Sequence, residues 1–316
     1  MGLGLAALGR PGYINLGHGA DLGHDYDACA MEDNSHEVLD AAWAAGIRYF
    51  DAARSYGRAE KFLASWLASR QILPDEVTIG SKWGYRYTAG WKVQAEKHEI
   101  KEHSLAQLQR QFKESRGLLG DYLNVYQIHS ATLESGVLDN RDVLRELAAL
   151  RDSGIAVGLS LSGASQPEVL RKALGTHIDG RPLFASVQAT WNLLEPSSGP
   201  ALAEAADMGL AVIVKEALAN GRLTRRNDEA DFGERLKLLE RTANDLDTSV
   251  DALALAAVLA QPWAAVVLSG AATADQLRSN VAALNVAWDD DVAMRLQALA
   301  EPPERYWRKR NQLAWN

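Results

Sequence analysis

The chain has 316 residues, 47% hydrophobic and 23% charged, the ordinary make-up of one large globular α/β domain. Disorder, collagen and coiled coil are excluded as descriptions of the whole chain. With 41 acidic against 33 basic residues the net charge is −8, which argues against nucleic acid or an anionic membrane as a partner. Cys29 is the one cysteine, so no internal disulfide forms, in keeping with an expected cytoplasmic location. The opening MGLGLAALGR lacks the basic flank and long apolar stretch of a signal peptide. The most apolar stretch, Ala252–Ala260, is too short to cross a bilayer and reads as a buried helix.

Taken in chain order, short apolar runs alternate with helical patterns. Leu3–Leu8 is the first strand candidate. The insert 10–32 follows it with Tyr13, Asn15, His18, His24 and Asp25, placed to cover a site at that end. Asn34 with Glu37 three residues on predicts a capping box and a helix over Glu37–Ala45, stopped by Gly46. Strand Ile47–Phe50 leads to helix Ala59–Ser69, Val77–Gly80 to Ser104–Leu119, and Leu123–Ile128 to Arg141–Asp152, stopped by Gly154. Ala156–Leu161 leads to Pro167–Leu174 and Gly175, and Ser186–Ala189 to Pro200–Met208 and Gly209. Ala211–Val214 is followed by an inserted helix, Phe232–Leu246, and then by Val250–Leu259. Ala265–Leu268 leads to Ala274–Leu284, and a helix over Asp291–Leu299 precedes a tail, 300–316.

The strand candidates are near-continuously apolar, as in a parallel sheet buried on both faces. Eight of them, each followed by a helix with no linker between, predict a single-domain (β/α)8 TIM barrel over residues 1–316. A doubly wound open sheet is the competing fold.

In a barrel the chemistry sits at the C-terminal strand ends. There the sequence places Asp51 and Tyr56 after the second strand, Lys82 after the third and His129 after the fourth. A single Asp or His there is ordinarily a cap or a rim residue. A lysine in apolar surroundings needs an anion, and Asp51 on the neighbouring strand supplies it. A tyrosine beside that ammonium has its phenolate stabilised, so its pKa is expected to fall toward neutrality and the phenol to donate a proton. With a histidine to polarise a carbonyl, the set suits reduction of a carbonyl to an alcohol by a nicotinamide hydride. Trp83, Tyr85 and Trp91 after the third strand predict an aromatic substrate wall, to which the tail adds Tyr306, Trp307 and Trp315.

The runs GIRYFDAARSYG, TIGSK and LNVYQIHS together resemble the aldo-keto reductase superfamily, in the correct order and over nearly the whole chain. The resemblance implies Tyr56 as general acid, Lys82 and Asp51 as its tuning pair and His129 as the orienting group. It also implies cofactor contacts from Ser160 and Gln188, from Leu218, Asn220 and Gly221, from Arg226, and from Gly270, Gln276 and Asn280. Two positions depart from the family's pattern: Leu161 replaces a common asparagine, and Lys215 replaces the aromatic that often stacks on the nicotinamide. NADP(H) is the implied cofactor, with Arg226 on its 2′-phosphate and Arg222, Arg225 and Arg278 nearby. NAD(H) is the alternative, because Gly270 and Gln276 carry no charge. Thr273 with Gln276 also reads as a capping box.

Rival motifs fail on context. Gly2-Leu3-Gly4-Leu5-Ala6-Ala7 fits a loose dinucleotide fingerprint but has no strand before it. His98-Glu99 with His103 has its histidines five apart rather than four, so it is no zinc-protease motif. His18, His24, Asp25 and Cys29 meet no standard metal-ligand spacing, and no metal is expected. The expected activity is NAD(P)-dependent reduction of an aldehyde, ketone or sugar, a small-molecule substrate. The alternatives are an NAD-linked sugar dehydrogenase working oxidatively and, in another class, a cofactor-binding subunit like the potassium-channel β subunits. Self-association is left open.

Overall fold

Eight strands pair edge to edge, all parallel, in a computed structural model that describes residues 1–316. They are β1 Gly2–Gly4, β2 Tyr49–Asp51, β3 Thr78–Trp83, β4 Leu123–Ala131, β5 Ala156–Leu161, β6 Ser186–Thr190, β7 Ala211–Lys215 and β8 Val266–Ser269. Each pairs with its sequence neighbours, and β1 closes the ring by pairing with both β2 and β8, through Gly2 to Tyr49 and Gly2 to Leu268. The structure is therefore a (β/α)8 barrel, and closure leaves no sheet edge exposed. The competing open sheet is excluded.

Helices pack around the barrel: α1 Ala28–Ala44, α2 Ala59–Ser69, α3 Leu105–Leu119, α4 Arg141–Asp152, α5 Gln166–Leu174, α6 Gly199–Asp207, α7 Gly233–Asp245, α8 Val250–Leu259, α9 Ala274–Val281, α10 Asp290–Leu296 and α11 Pro303–Gln312. Several begin at a side chain that accepts an orphan backbone N–H, as at Ser104, Asn140, Ser249 and Thr273. None of them is long and apolar enough to cross a membrane.

Three local expectations are corrected. The first helix begins at Ala28, capped by Asp27, so Asn34 and Glu37 lie inside it rather than forming a box. Its buried face runs back through Ser35 to Met31, and Asn34 instead donates to Ala272 O at 3.0 Å. The first strand ends at Gly4, and Leu5–Leu8 continue as a buried turn closed by Leu8 N donating to Leu5 O. The tail forms α11, whose charged sequence masks its one buried stripe at Tyr306 and Trp307.

A main apolar core lies between the barrel wall and its helices. A second cluster joins α7, α8, α10 and α11 through Phe232, Leu253, Leu296 and Trp307. It anchors the tail beside the C-terminal mouth of the barrel, where Arg310 to Trp315 reach the central cavity.

Candidate active site

The four expected residues meet at that mouth. Lys82 is fully buried, and all three of its N–H bonds are used: to Asp51 Oδ2 at 2.5 Å, to Ala52 O at 2.9 Å and to Tyr56 Oη at 3.3 Å. The second oxygen of Asp51 accepts from Gln188 Nε2 at 2.8 Å. Burying an ammonium this deeply is tolerable only with such complete pairing.

Tyr56 is held in place by two interlocking turns. A Cβ on Gly9 would stand 2.3 Å from Tyr56 O, and one on Gly57 would stand 2.4 Å from Gly9 O. Gly57 also has φ +60°, and Arg58 N donates back to Gly9 O at 2.7 Å. The turns after β1 and β2 thus lock together around the tyrosine.

His129 owes its position to a bulge. The β4–β5 register slips between Ile128 and Ala131, and Ser130 takes φ +52°. Ser130 N donates to Ser160 Oγ at 2.8 Å, which pins the bulge. The His129 ring lies edge-on to Tyr56 and Tyr85, at centroid distances of 5.5 and 4.9 Å, with Ser55 Oγ at 3.4 Å from its Nδ1.

Electrostatics correct one expectation. The Tyr56 phenol does not fall toward neutrality: burial, reinforced by the Asp51 carboxylate, pushes it well above its ordinary value, and Arg10 opposes this only in part. Burial, with Lys82, Arg10 and Lys215 adding to it, holds His129 well below the usual imidazole range. At neutral pH the pair is a protonated phenol and an uncharged imidazole.

The cavity has a volume of about 820 Å³ and runs from this cluster to the turn after β8. That is toward the upper end of the roughly 300–1,000 Å³ usual for ligand and cofactor sites. Of the residues expected on a cofactor, Gln188, Leu218, Asn220, Gly221, Arg226, Gly270, Gln276 and Asn280 line it. Ser160 does not: it stands behind the wall as the anchor of the Ser130 bulge, and Ser162 lines the cavity instead.

The polar atoms there fit a ligand rich in hydrogen-bonding groups. Asn220, at φ +56°, keeps a buried Oδ1 with no partner, and a Cβ on Gly270 would meet nothing within 4 Å. Asn280 is oriented by Ser269 at 2.8 Å. Gln276 also serves the α9 turn, with its N–H on Thr273 Oγ1 and its Oε1 accepting from Ala272 N. Arg226 is already engaged, paired with both carboxylate oxygens of Asp21 and donating to Leu16 O. Of the other arginines, Arg222 is buried against Glu301 and Arg278 is exposed beside Asp275, both away from the cavity, while Arg225 lines it.

The aromatic wall is also corrected. Tyr85 lines the cavity, as does Trp315. Trp83 is fully buried against His103, and Trp91 packs on Phe62 and Arg58, with its indole N–H on Tyr26 O. The stretch expected as a loop pairs as a hairpin, Tyr85–Tyr87 with Glu99–Lys101, which turns alternate side chains away from the cavity.

Charges from distant segments, whose pairing the sequence does not show, complete the chamber. Arg10 pairs with Glu99 at 2.5 Å, and Arg310 donates to Glu216 at 2.8 Å. Lys215 Nζ lies 2.7 Å from Thr190 Oγ1 and 4.0 Å from Glu216. Burial pushes the Glu216 carboxyl up, but Arg310 and Lys215 more than reverse this and hold it down at about 2. No spacing rule marks these residues, because they arrive from the insert, the hairpin, the end of β7 and α11.

Comparison with known proteins places this architecture. The model described as "Aldo/keto reductase family" matches residues 15–301. The chain belongs to the aldo/keto reductase family, a family of oxidoreductases. It is 26% identical over 269 residues to the "Uncharacterized oxidoreductase YqkF" of Bacillus subtilis, covering 78% of this chain and 81% of that protein. It is 30% identical over 201 residues to the "Pyridoxal 4-dehydrogenase" of Microbacterium luteolum, covering 53% and 57%. In fold it is similar to the holo form of an aldo-keto reductase from Bacillus halodurans, with TM-score 0.71, 22% identity and coverage of 96% and 92%.

Proposed function

We propose that this protein reduces the carbonyl of an aldehyde, ketone or sugar to an alcohol, with a nicotinamide dinucleotide as the redox partner. The observation that carries this reading is the saturated ammonium of Lys82. Its third N–H is donated to Tyr56 Oη, so the phenol's own O–H is left to point at a substrate oxygen. Tyr56 then gives up its proton as negative charge develops on that oxygen, and Lys82 stabilises the phenolate that results. His129, uncharged and with Nδ1 3.4 Å from the Ser55 hydroxyl, donates a hydrogen bond to the same oxygen when its proton stands on Nε2. Asp51 and Gln188 hold the ammonium in place.

A bound nicotinamide supplies the hydride. Gln188, Asn220, Gly270, Gln276 and Asn280 are the residues proposed to hold the dinucleotide. NADP(H) is served by Arg225 and Arg226 at the far end of the cavity. NAD(H) is the second reading, favoured by the uncharged Gly270 and Gln276 and by the engagement of Arg226 with Asp21. The oxidative direction is a further reading, prompted by a stretch of 72 residues, 22% of this chain and 21% of that protein, that is 40% identical to the "D-threo-aldose 1-dehydrogenase" of a Pseudomonas species. Loss of reduced-nicotinamide absorbance with a panel of aldehydes and sugars tests the reading. Wild-type turnover that Tyr56→Phe abolishes is the expected result, and equal turnover by the two proteins would overturn it.

A further inference from the structure

One wall of the cavity sets a guanidinium and a carboxylate beside the proton donor. Arg10 comes from the turn after β1 and Glu99 from the hairpin after β3, so the two flank β2, the strand that leads to Tyr56. The residues proposed to hold the dinucleotide stand on β6 and after β7 and β8, which leaves this wall to the substrate. Arg10 is only 3% exposed, and its guanidinium carbon lies 5.1 Å from the ring centres of Tyr13 and Tyr56 and 4.9 Å from that of Trp315. Its Nη1 is spent on Ser55 O at 3.1 Å and Glu99 Oε1 at 2.5 Å. The other edge of the guanidinium, Nε and Nη2, has no partner. Glu99 keeps 18% of its side-chain surface, and its Oε2 accepts no hydrogen bond.

We propose that Arg10 and Glu99 form a specificity subsite for hydroxyl groups next to the substrate carbonyl. The inference rests on the carbonyl-reductase reading above and names a substrate class for that site: polyhydroxylated aldehydes or ketones, the open-chain form of sugars. A carboxylate on the substrate would meet Glu99 as well as Arg10, and an ammonium would meet Arg10 as well as Glu99. A hydroxyl suits both, because it accepts from the guanidinium and donates to the carboxylate. Hydroxyls on adjacent carbons match the free edge, whose N–H groups lie side by side in a rigid fork. The closeness of the guanidinium to the Tyr56 ring places these hydroxyls near the carbonyl carbon. The three rings around Arg10 hold it in one orientation, so little side-chain freedom is lost when a substrate binds. A substrate without hydroxyls leaves the buried edge unpaired, and a site built to bond a hydroxyl rejects analogues that lack it.

The test compares D-glyceraldehyde with propanal and D-erythrose with butanal, in wild type, Arg10→Met, Glu99→Met and the double variant, which strands neither charge. Wild type should prefer the hydroxylated member of each pair. The double variant should lower the ratio of kcat/KM, hydroxylated over deoxy, about ten- to a hundredfold and mainly through KM. Comparing that ratio between proteins cancels the hydration of the aldehydes. Each single variant should move it in the same direction. If the methionine variants do not fold, Glu99→Gln, which keeps the size and removes only the charge, should still lower the ratio severalfold. An unchanged ratio in a double variant with normal melting, or in Glu99→Gln where that variant alone folds, overturns the inference. So does a loss in Arg10→Met confined to succinic semialdehyde, which assigns the free edge to an anion. A binding arm separates this claim from the reductase reading. Xylitol, a polyol with no carbonyl, should change the tryptophan fluorescence of wild type without cofactor, with Trp315 4.9 Å from the guanidinium, and the double variant should lose the response. If no aldehyde is turned over, xylitol binding lost in the double variant still supports the subsite while the reductase reading fails. Failure of wild type to respond to xylitol overturns the subsite by itself.

Discussion

The two ends of the central cavity are built differently. At one end, Asp51, Lys82, His129 and Gln188 stand on barrel strands, and the ion pair among them is closed off from solvent. At the other, Asn220, Gly221 and Arg226 stand on the segment after β7, tied to the insert by Leu16 N on Asn220 O, by Asn220 on Asn15 and by Arg226 on Asp21. Strand-borne groups are held by the ladder and need little else to keep their geometry. Loop-borne groups are held by one another, through contacts that are partly exposed. The first arrangement suits proton transfer, where small displacements are costly. The second suits a site that admits and releases a large ligand.

The largest test of this contrast is Tyr56→Phe. Turnover should fall about 10²-fold or more, because the proton donor acts in the transition state. Cofactor affinity, read by tryptophan fluorescence, should hardly change. A mutant that instead lost cofactor would tie the two ends together.

Lys82→Met should match that loss of turnover and also destabilise the fold. Removing one partner of a pair this buried leaves Asp51 stranded, at a cost of about 3–5 kcal/mol in chemical denaturation. A mutant with wild-type stability would show that the strand end is not held by charge pairing.

The chamber's titratable groups predict two pH effects on stability of intermediate size. Glu216 is depressed in the fold to about 2, so its contribution is present above the ordinary carboxylate pKa and is lost as pH falls from about 4.5 toward 2. Lys215 is lowered to about 8, so between about pH 8 and 10 the unfolded chain binds the proton that the folded chain has released, and stability gains a rising contribution. Thermal melts of wild type and Lys215→Met across that window should diverge, with the rise confined to wild type. Parallel curves would contradict the burial of this ammonium.

The smallest effects belong to the far end. Arg226→Ala and Asp21→Asn should each shift stability by less than about 1 kcal/mol, because the arginine is half-exposed. Their effects on cofactor choice should differ in sign. Arg226→Ala should weaken NADPH by about tenfold or less and spare NADH, whereas Asp21→Asn should free the guanidinium and favour NADPH. Both effects should shrink as salt rises. If both mutants weaken both dinucleotides equally, the Asp21–Arg226 pair acts as a clasp and reads no phosphate.

Much of the strand end was legible beforehand. Asp51, Lys82 and His129 follow directly from apolar runs, and burial of those runs leaves few places for such side chains to go. Ser160 is drawn back from the cavity because its Oγ accepts the backbone N–H of the Ser130 bulge, a contact that no local motif foretells. Trp83 and Trp91 were misread because aromatic density does not say which side of a hairpin a ring faces. The Tyr56 phenol was misread because a neighbouring cation was weighed without the burial and the Asp51 carboxylate that outweigh it.

By itself the sequence determined the barrel, its strand order and the residues at its strand ends. Periodicity and turn chemistry are local, and parallel closure follows from repeating them eight times. Only the tertiary structure decided which charges share the chamber. Arg10 and Glu99 stand 89 positions apart, and Glu216 and Arg310 stand 94 apart. No local pattern encodes such pairings; they exist because the insert, the hairpin and the last helix converge over one mouth. Lys215 joins the last of these pairs in the same way, 4.0 Å from Glu216 and bridged to it by the Thr190 hydroxyl.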